Sequence, residues 1–156
     1  MSNEHTVKSY EEELRYLIDS VIKMGSLTES QLIDSMDAVI KVDKDSIDKI
    51  IKSDDEINKF RSKIDTQIMT LLVKRAPMAI DLRETISSLK ISQDLERIGD
   101  LSKSNAKKVK PLPLDLPEEL LSNLKRLGEL VIKQLNDVLD SYVCLLYTSD
   151  AADELR

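Results

Sequence analysis

Apolar residues recur every three to five positions along most of the chain, a spacing that places them on one face of an α-helix. The first apolar stripe runs from residue 10 to residue 39 and contains no proline, so it predicts one helix of about 35 residues. Further stripes span residues 47–72, 82–109 and 120–139. Gly25 interrupts the first stripe and is expected to loosen that helix locally. The pattern predicts an all-α protein.

Three breaks separate the stripes. Residues 42–46 contain two aspartates and a serine, which favour helix N-termini. Pro77 disfavours helical geometry at the residue before it, and residues 111–117 contain three prolines, which cannot lie inside a helix. We therefore expect an up-down-up three-helix bundle in residues 1–110, a proline-rich linker at 111–117, and a fourth helix at 118–143 that opens a second, truncated unit.

The end of the chain has a different character. From Cys144 to Glu154 it matches, residue for residue, one reading frame of a common transposase-based sequencing-library adapter. We interpret residues 144–156 as an adapter-derived artefact and expect the natural chain to continue beyond Val143. Without these residues the chain has 26 acidic and 22 basic residues, a net charge of −4, and no cysteine.

Composition narrows the class of protein. A net charge of −6 is unfavourable for binding along nucleic acid, because phosphate neutralisation needs clustered Lys and Arg. No apolar run reaches the roughly 20 residues that span a bilayer, and the polar N-terminus lacks the features of a signal peptide. A single cysteine agrees with a reducing compartment. We therefore expect a cytoplasmic protein that does not bind nucleic acid.

Few residues are suited to catalysis. The only histidine is His5, near the N-terminus, and the only cysteine lies in the adapter-like tail. No Cys–His or Ser–His–Asp set can be assembled from these residues. The chain also has no Glu-x-x-His pairs of a di-metal oxidase and no P-loop. We predict no catalytic residues and a function other than that of an enzyme.

Two segments carry a resemblance to a known family. Residues 74–83 have the pattern K-R-x-P-x-A-x-D-L-R, and residues 96–100 have the sequence E-R-I-G-D. Together they resemble the PhoU family. Supporting matches lie at His5, Met24–Gly25, Ile57–Asn58 and Ile64–Asp65, so that the resemblance covers residues 5–143.

The resemblance implies two tandem three-helix bundles, each with an E-(or D)-x-x-x-D motif, of which this chain holds the first bundle and one helix of the second. It also implies a bacterial negative regulator of phosphate uptake and of the phosphate-starvation response. Such a protein couples the phosphate ABC transporter to a membrane sensor histidine kinase through protein contacts, and reaches the membrane only through these partners. We expect the full-length protein to be a homodimer.

A metal site is the main chemical hypothesis. Glu96 and Asp100 are four residues apart, so both project from one helix face and repel each other unless a cation lies nearby. On spacing alone, a solvated face with Arg97 or Lys103 as counter-charge is favoured. The resemblance implies an iron or zinc site, or a site for another divalent cation, because some members of the family bind metal clusters at these motifs. Asp65 is the further ligand that we predict from within the bundle.

Other residues of the motifs have milder interpretations. Asp81 is placed in the first turn of the third helix, where its charge favours the free N–H groups. Arg83 is expected to pair with an acid on a neighbouring helix, and the resemblance makes this turn, with Arg97, part of a partner surface. One departure is Arg61, which stands where many relatives carry an acid and would weaken a metal site. The alternatives are a helical scaffold or adaptor without metal, and a holdase that uses the uncovered apolar face of the fourth helix.

Overall fold

The computed structural model describes the backbone of residues 2–75 and 80–153, and the side chains of residues 10–74 and 82–144. Within these ranges the chain forms helices and turns without a β-strand. The all-α prediction is confirmed. The helices are α1 (Ser2–Lys41), α2 (Ile47–Arg75), α3 (Ile80–Lys108) and α4 (Glu118–Asp153).

The turn between α1 and α2 lies where the sequence predicted it. Val42 adopts a left-handed conformation with a φ of 50°, which ends α1. The Asp43 carboxylate then accepts hydrogen bonds from the backbone N–H groups of Asp45, at 3.0 Å, and Ser46, at 3.3 Å. Bonds from the Ser46 hydroxyl and from these backbone groups lower the pKa of Asp43. These bonds satisfy backbone N–H groups just before α2 begins.

Large aliphatic side chains from α1 and α2 fill most of the core of the three-helix bundle. The fully buried residues of this group are Leu17, Val21, Met24, Ile57, Ile64 and Leu71. A second, smaller cluster closes the end of the bundle at the α1–α2 turn. It combines Val42, Ile47 and Ile50 with Ala106 of α3 and with Val109, which follows that helix directly.

Helix α3 presents a different kind of buried face. Most of its buried positions carry small or hydroxyl side chains: Thr85, Ser88, Ser92, Gly99, Ser102 and Ala106. Burying the serines is tolerated because each hydroxyl donates to a carbonyl of its own helix, as Ser102 does to Ile98 at 2.9 Å. The predicted apolar stripe was therefore wrong at Leu101, whose side chain is 58% exposed, but right at Leu95, which is 2% exposed.

Helix α4 packs along α1, as expected for an amphipathic helix that must cover its apolar face. Gly25 leaves space on α1 for Leu139, and Gly128 leaves space on α4 for Met36, because a Cβ atom at either glycine would lie 2.6 Å from the opposing side chain. Outside this contact, α4 keeps Leu127, Leu130 and Val138 between 55% and 59% exposed. Among the described helices, none has both the length and the hydropathy of a bilayer span.

Candidate functional site

Arg61 connects two of the predicted metal ligands. It extends from α2, where its side chain is only 12% exposed, and forms an ion pair with Asp65 one turn further along the same helix. Its Nε atom also lies 3.3 Å from Oε2 of Glu96 on α3. Asp65 and Glu96 are 44% and 39% exposed, so both line the rim of the α2–α3 interface. The structure therefore brings Asp65 and Glu96 together around a guanidinium group.

The contact between Arg61 and Glu96 is an ion pair rather than a hydrogen bond. The Arg61 Nε–H group is buried and has no hydrogen-bond acceptor among the residues that the structure describes, although Glu96 lies close by. An N–H group that points away from its acceptor still gains Coulomb attraction, but it loses the directional part of the bond.

A second ion pair lies nearer the core. Asp54 on α2 is fully buried, and the Nζ atom of Lys103 on α3 lies 2.5 Å from its Oδ2 atom. Gln31 of α1 donates to Oδ1 of Asp54 at 3.4 Å, and Asn58 donates to Oδ2 at 3.3 Å. The buried carboxylate thus has a donor from each of the three bundle helices, which compensates for its loss of water.

The electrostatics of this pair extend to Asp100. The hydrogen bond to Asp54 raises the pKa of Lys103 above its usual value, against the opposing effect of burial. The negative charges of Asp54, Asp100 and Asp55 raise it further. Asp100 therefore lies close enough to act on Lys103, while its own side chain remains exposed. The counter-charge that we had expected from Lys103 goes first to Asp54 and only secondarily to Asp100.

Two residues of this interface could have been found from the sequence. Ile50, Ile57 and Ile64 lie seven residues apart on the core-facing side of α2. Asp54 and Arg61 lie between them, each four residues after one isoleucine and three before the next. A charged residue on a core-facing stripe signals a buried ion pair, because the charge must be compensated there. The aliphatic pattern alone gave no weight to these positions.

The remaining predicted residues have different outcomes. Arg83 and Arg97 are exposed on the side of α3 that faces away from the core. The Asp81 side chain lies outside the described residues. Glu96 pairs with Arg61, and Asp100 acts on Lys103, so both acids lie near cations at the boundary with α2.

The predicted metal ligands do not fit a metal ion in their present arrangement. In the part of the chain that the structure describes, no three Asp, Glu, His or Cys side chains converge into a group that could hold one. Asp65 and Glu96 each contact Arg61, and an arginine side chain has no acceptor atoms to offer a cation. Metal binding by Glu96, Asp100 and Asp65 stays a prediction.

A helical bundle with a charged seam between two helices defines a broad class of all-α proteins, and comparison with known proteins narrows it. The model of the PhoU domain matches residues 21–109, from the middle of α1 to the end of α3. The chain belongs to the PhoU domain family. No solved structure gives a significant match to it.

Curated relatives agree with this assignment. The chain is 39% identical over 140 residues to the phosphate-specific transport system accessory protein PhoU homolog of Caulobacter vibrioides, which covers 89% of this chain and 61% of the relative. It is 38% identical over 143 residues to the homolog of Rhizobium meliloti, covering 91% and 60%. The PhoU protein of Edwardsiella tarda is 32% identical over 140 residues, covering 90% and 58%. The chain thus spans about three fifths of the length of these relatives.

Proposed function

We propose that this chain is part of a cytoplasmic, non-catalytic negative regulator of phosphate uptake and of phosphate-starvation signalling. In this role it couples a phosphate ABC transporter to a sensor histidine kinase through protein contacts, and the full-length protein acts as a homodimer. The observation that carries the proposal is the match of residues 21–109 to the PhoU domain. The names of the relatives, which are accessory proteins of phosphate-specific transport, support it.

The outer face of α3 is the surface that best suits such contacts. Helix α4 packs against α1, so the outer face of α3 stays open in the described part of the chain. It carries charges of both signs, and arginines are enriched at protein interfaces. A mixed pattern of charge favours orientation and choice of partner over tight non-specific binding. The exposed residues of this face are Arg83, Lys90, Asp94, Arg97 and Asp100.

A charge swap tests the role of this face. The full natural gene carrying Arg97→Glu with Asp100→Lys would replace the PhoU-domain gene of a bacterial strain, and expression of a phosphate-starvation reporter would be measured in high phosphate. The swap keeps the net charge and reverses the local pattern, so we expect several-fold derepression relative to the wild-type gene.

The matched control is a charge swap on α4, Arg126→Glu with Glu129→Lys, at two exposed positions that are also three residues apart. We expect the control to repress the reporter like the wild type. Full repression by the α3 variant would place the partner surface elsewhere. Failure of the wild-type gene to repress would contradict the regulatory function itself.

A scaffold or adaptor without metal is the second candidate function. The ion pairs of Arg61 favour it, since Asp65 and Glu96 already have a cation between them. Metal analysis of the purified full-length protein separates the two candidates. Iron, zinc or manganese that is lost on replacing Glu96 and Asp100 would support the metal-dependent regulator.

A further inference from the structure

We propose that Arg61 is the built-in cation of the α2–α3 acidic rim, which we define as Asp65, Glu96 and Asp100. Its guanidinium group takes the position that a metal ion would need between the acids of the two helices. The rim is thereby held together by an internal charge in place of a bound ion. This inference concerns the chemistry of the rim and goes beyond the regulatory function proposed above.

The position of Arg61 on its helix is the first argument. It lies four residues after Ile57 and three before Ile64, both fully buried, so its side chain starts from the core-facing side of α2. Only 12% of that side chain is exposed. An arginine at such a position extends from the core toward the rim. The bundle covers its aliphatic part, and its charged end lies between the acids.

The shape of the group is the second argument. A guanidinium is planar and carries five N–H donors in a fixed fork, so it can contact carboxylates on two helices at once. Arg61 does this with Asp65 on its own helix and Glu96 on the neighbouring one. The guanidinium is also part of the chain itself, so it is present at the rim in every molecule. The bridge is therefore permanent, whereas occupancy by a metal would follow its concentration.

Competition is the third argument. A divalent ion binding to Asp65 and Glu96 would have to displace Arg61 from both, or sit beside its positive charge. Displacement would leave a largely buried guanidinium without its two counter-ions, which is strongly unfavourable. Lys103 provides a parallel cation at the inner end of the interface, where it pairs with Asp54 and its pKa responds to Asp100. Cationic side chains of the bundle itself thus compensate the negative charges of the rim.

Manganese binding to the purified 156-residue chain tests the proposal. Mn²⁺ is the probe, because it prefers carboxylate oxygens and is detected directly by electron paramagnetic resonance. Binding would be measured by that method and by the change in melting temperature on adding Mn²⁺. We expect weak binding to the wild type and an affinity that is higher by about tenfold or more for Arg61→Glu, with a melting temperature that rises on adding Mn²⁺.

The matched control is Arg97→Glu, which makes the same change of charge at an exposed position next to Glu96. It should gain much less affinity than Arg61→Glu, because it adds a carboxylate without opening the bridge. Equal gains in the two variants would reduce the effect to net charge and overturn the proposal. Tight Mn²⁺ binding by the wild type that is lost in Glu96→Gln would overturn it as well.

Folding of the Arg61→Glu variant needs its own readout, since it places a third acid beside Asp65 and Glu96. If circular dichroism shows that it folds only with Mn²⁺, the proposal is supported. If it stays unfolded with and without Mn²⁺, Mn²⁺ binding is measured for Arg61→Gln instead, because glutamine removes the charge and adds no acid. Stronger Mn²⁺ binding by Arg61→Gln than by the wild type would support the proposal, and unchanged binding would contradict it. These Mn²⁺ measurements do not test repression of the starvation reporter, so the regulatory function is tested separately.

Discussion

Lys103 on α3 places its Nζ atom 2.5 Å from Oδ2 of Asp54 on α2, and the Asp54 side chain is fully buried. The side-chain amide of Gln31 on α1 donates to the other oxygen of the same carboxylate and to the carbonyl oxygen of Ile50. One buried charge therefore joins all three helices of the bundle. Because a misplaced helix would leave this charge without partners, the pair favours a single register of the helices.

Replacing the lysine of this pair should be costly. Lys103→Met leaves the Asp54 carboxylate buried with only Gln31 and Asn58 as donors, and loss of one partner of a buried ion pair costs about 3–5 kcal/mol. We expect the free energy of unfolding, measured with urea at pH 7, to fall by an amount in that range.

The double variant Asp54→Asn with Lys103→Met is the informative comparison. It removes both charges and keeps the shape of the buried side chain, so it should be more stable than Lys103→Met alone. A double variant that is as unstable as the sum of the two single variants would show that Asp54 and Lys103 do not act as a pair.

Two leucines on α3 provide a matched test of its packing. Leu95 is 2% exposed and Leu101 is 58% exposed, although both belong to the stripe predicted from the sequence. Leu95→Asp buries an uncompensated charge in the core and should unfold the bundle, with loss of helix by circular dichroism. Leu101→Asp makes the same change on the surface, where substitutions usually alter stability by less than about 0.5 kcal/mol. Equal melting temperatures for the two variants would contradict the observed orientation of α3, which turns Leu95 toward the core and Leu101 toward solvent.

The rotation of α3 shows what apolar periodicity can and cannot predict. On α1 and α2 the largest buried side chains are aliphatic, so the three-to-four spacing located both helices and their faces. On α3 the buried face carries serines, Gly99 and Ala106, which a pattern of large apolar residues does not register. Gly99 lies there because a Cβ atom would come within 3.1 Å of the Gln31 side chain. Close approach of helices is a tertiary property, and the sequence of one helix does not reveal it.

The candidate site was predicted only in part, again because helix packing is not evident from the sequence. Spacing and resemblance selected Asp65, Glu96 and Asp100, and the structure brings the first two together. The sequence also marked Arg61 as a departure from the expected pattern. It could not show that Arg61 lies between these acids, because that depends on how α2 and α3 are rotated against each other. Asp54 was missed because only large apolar residues were followed along the stripe, although a charge at such a position signals a buried ion pair.

Gly25 illustrates a correction of another kind. The sequence suggested that it loosens α1, but α1 is continuous from Ser2 to Lys41 and Leu139 of α4 lies against the glycine. We expect Gly25→Phe to displace α4 while the three-helix bundle stays folded, because inserting a large side chain at a filled contact costs typically 1–3 kcal/mol. Hydrogen exchange of α4 should then become faster by about tenfold to a hundredfold, with little change in α2 and α3.

Lys23→Phe is the control for this experiment. It adds the same ring two residues earlier on α1, at an exposed position. Exchange in α4 should remain at the wild-type rate. If both variants accelerate exchange equally, the contact between Gly25 and Leu139 is not what holds α4 against the bundle.

Two tyrosines should titrate in opposite directions from the ordinary value of 10.0. A hydrogen bond and the positive charge of Lys63, whose Nζ lies 4.6 Å from the ring centre of Tyr16, lower the pKa of Tyr16. Burial raises the pKa of Tyr142, against the opposing effect of its 2.9 Å hydrogen bond with Ser88. In a spectrophotometric titration of tyrosinate, Tyr16→Phe should therefore remove an early component and Tyr142→Phe a late one. Lys63→Met should shift the early component upward while leaving the late one in place.

The raised pKa of Tyr142 also sets a direction for stability. A group whose pKa is higher in the folded state than in the unfolded chain favours folding below the unfolded value and loses that contribution as the pH rises through the folded value. Stability of the wild type should therefore decline above pH 10.0, the ordinary value for tyrosine. The decline should be shallower in Tyr142→Phe, and urea unfolding at a series of pH values between about 8 and 11 measures it. An equally steep decline in that variant would show that the Tyr142 hydroxyl ionises as freely in the folded protein as in the unfolded chain.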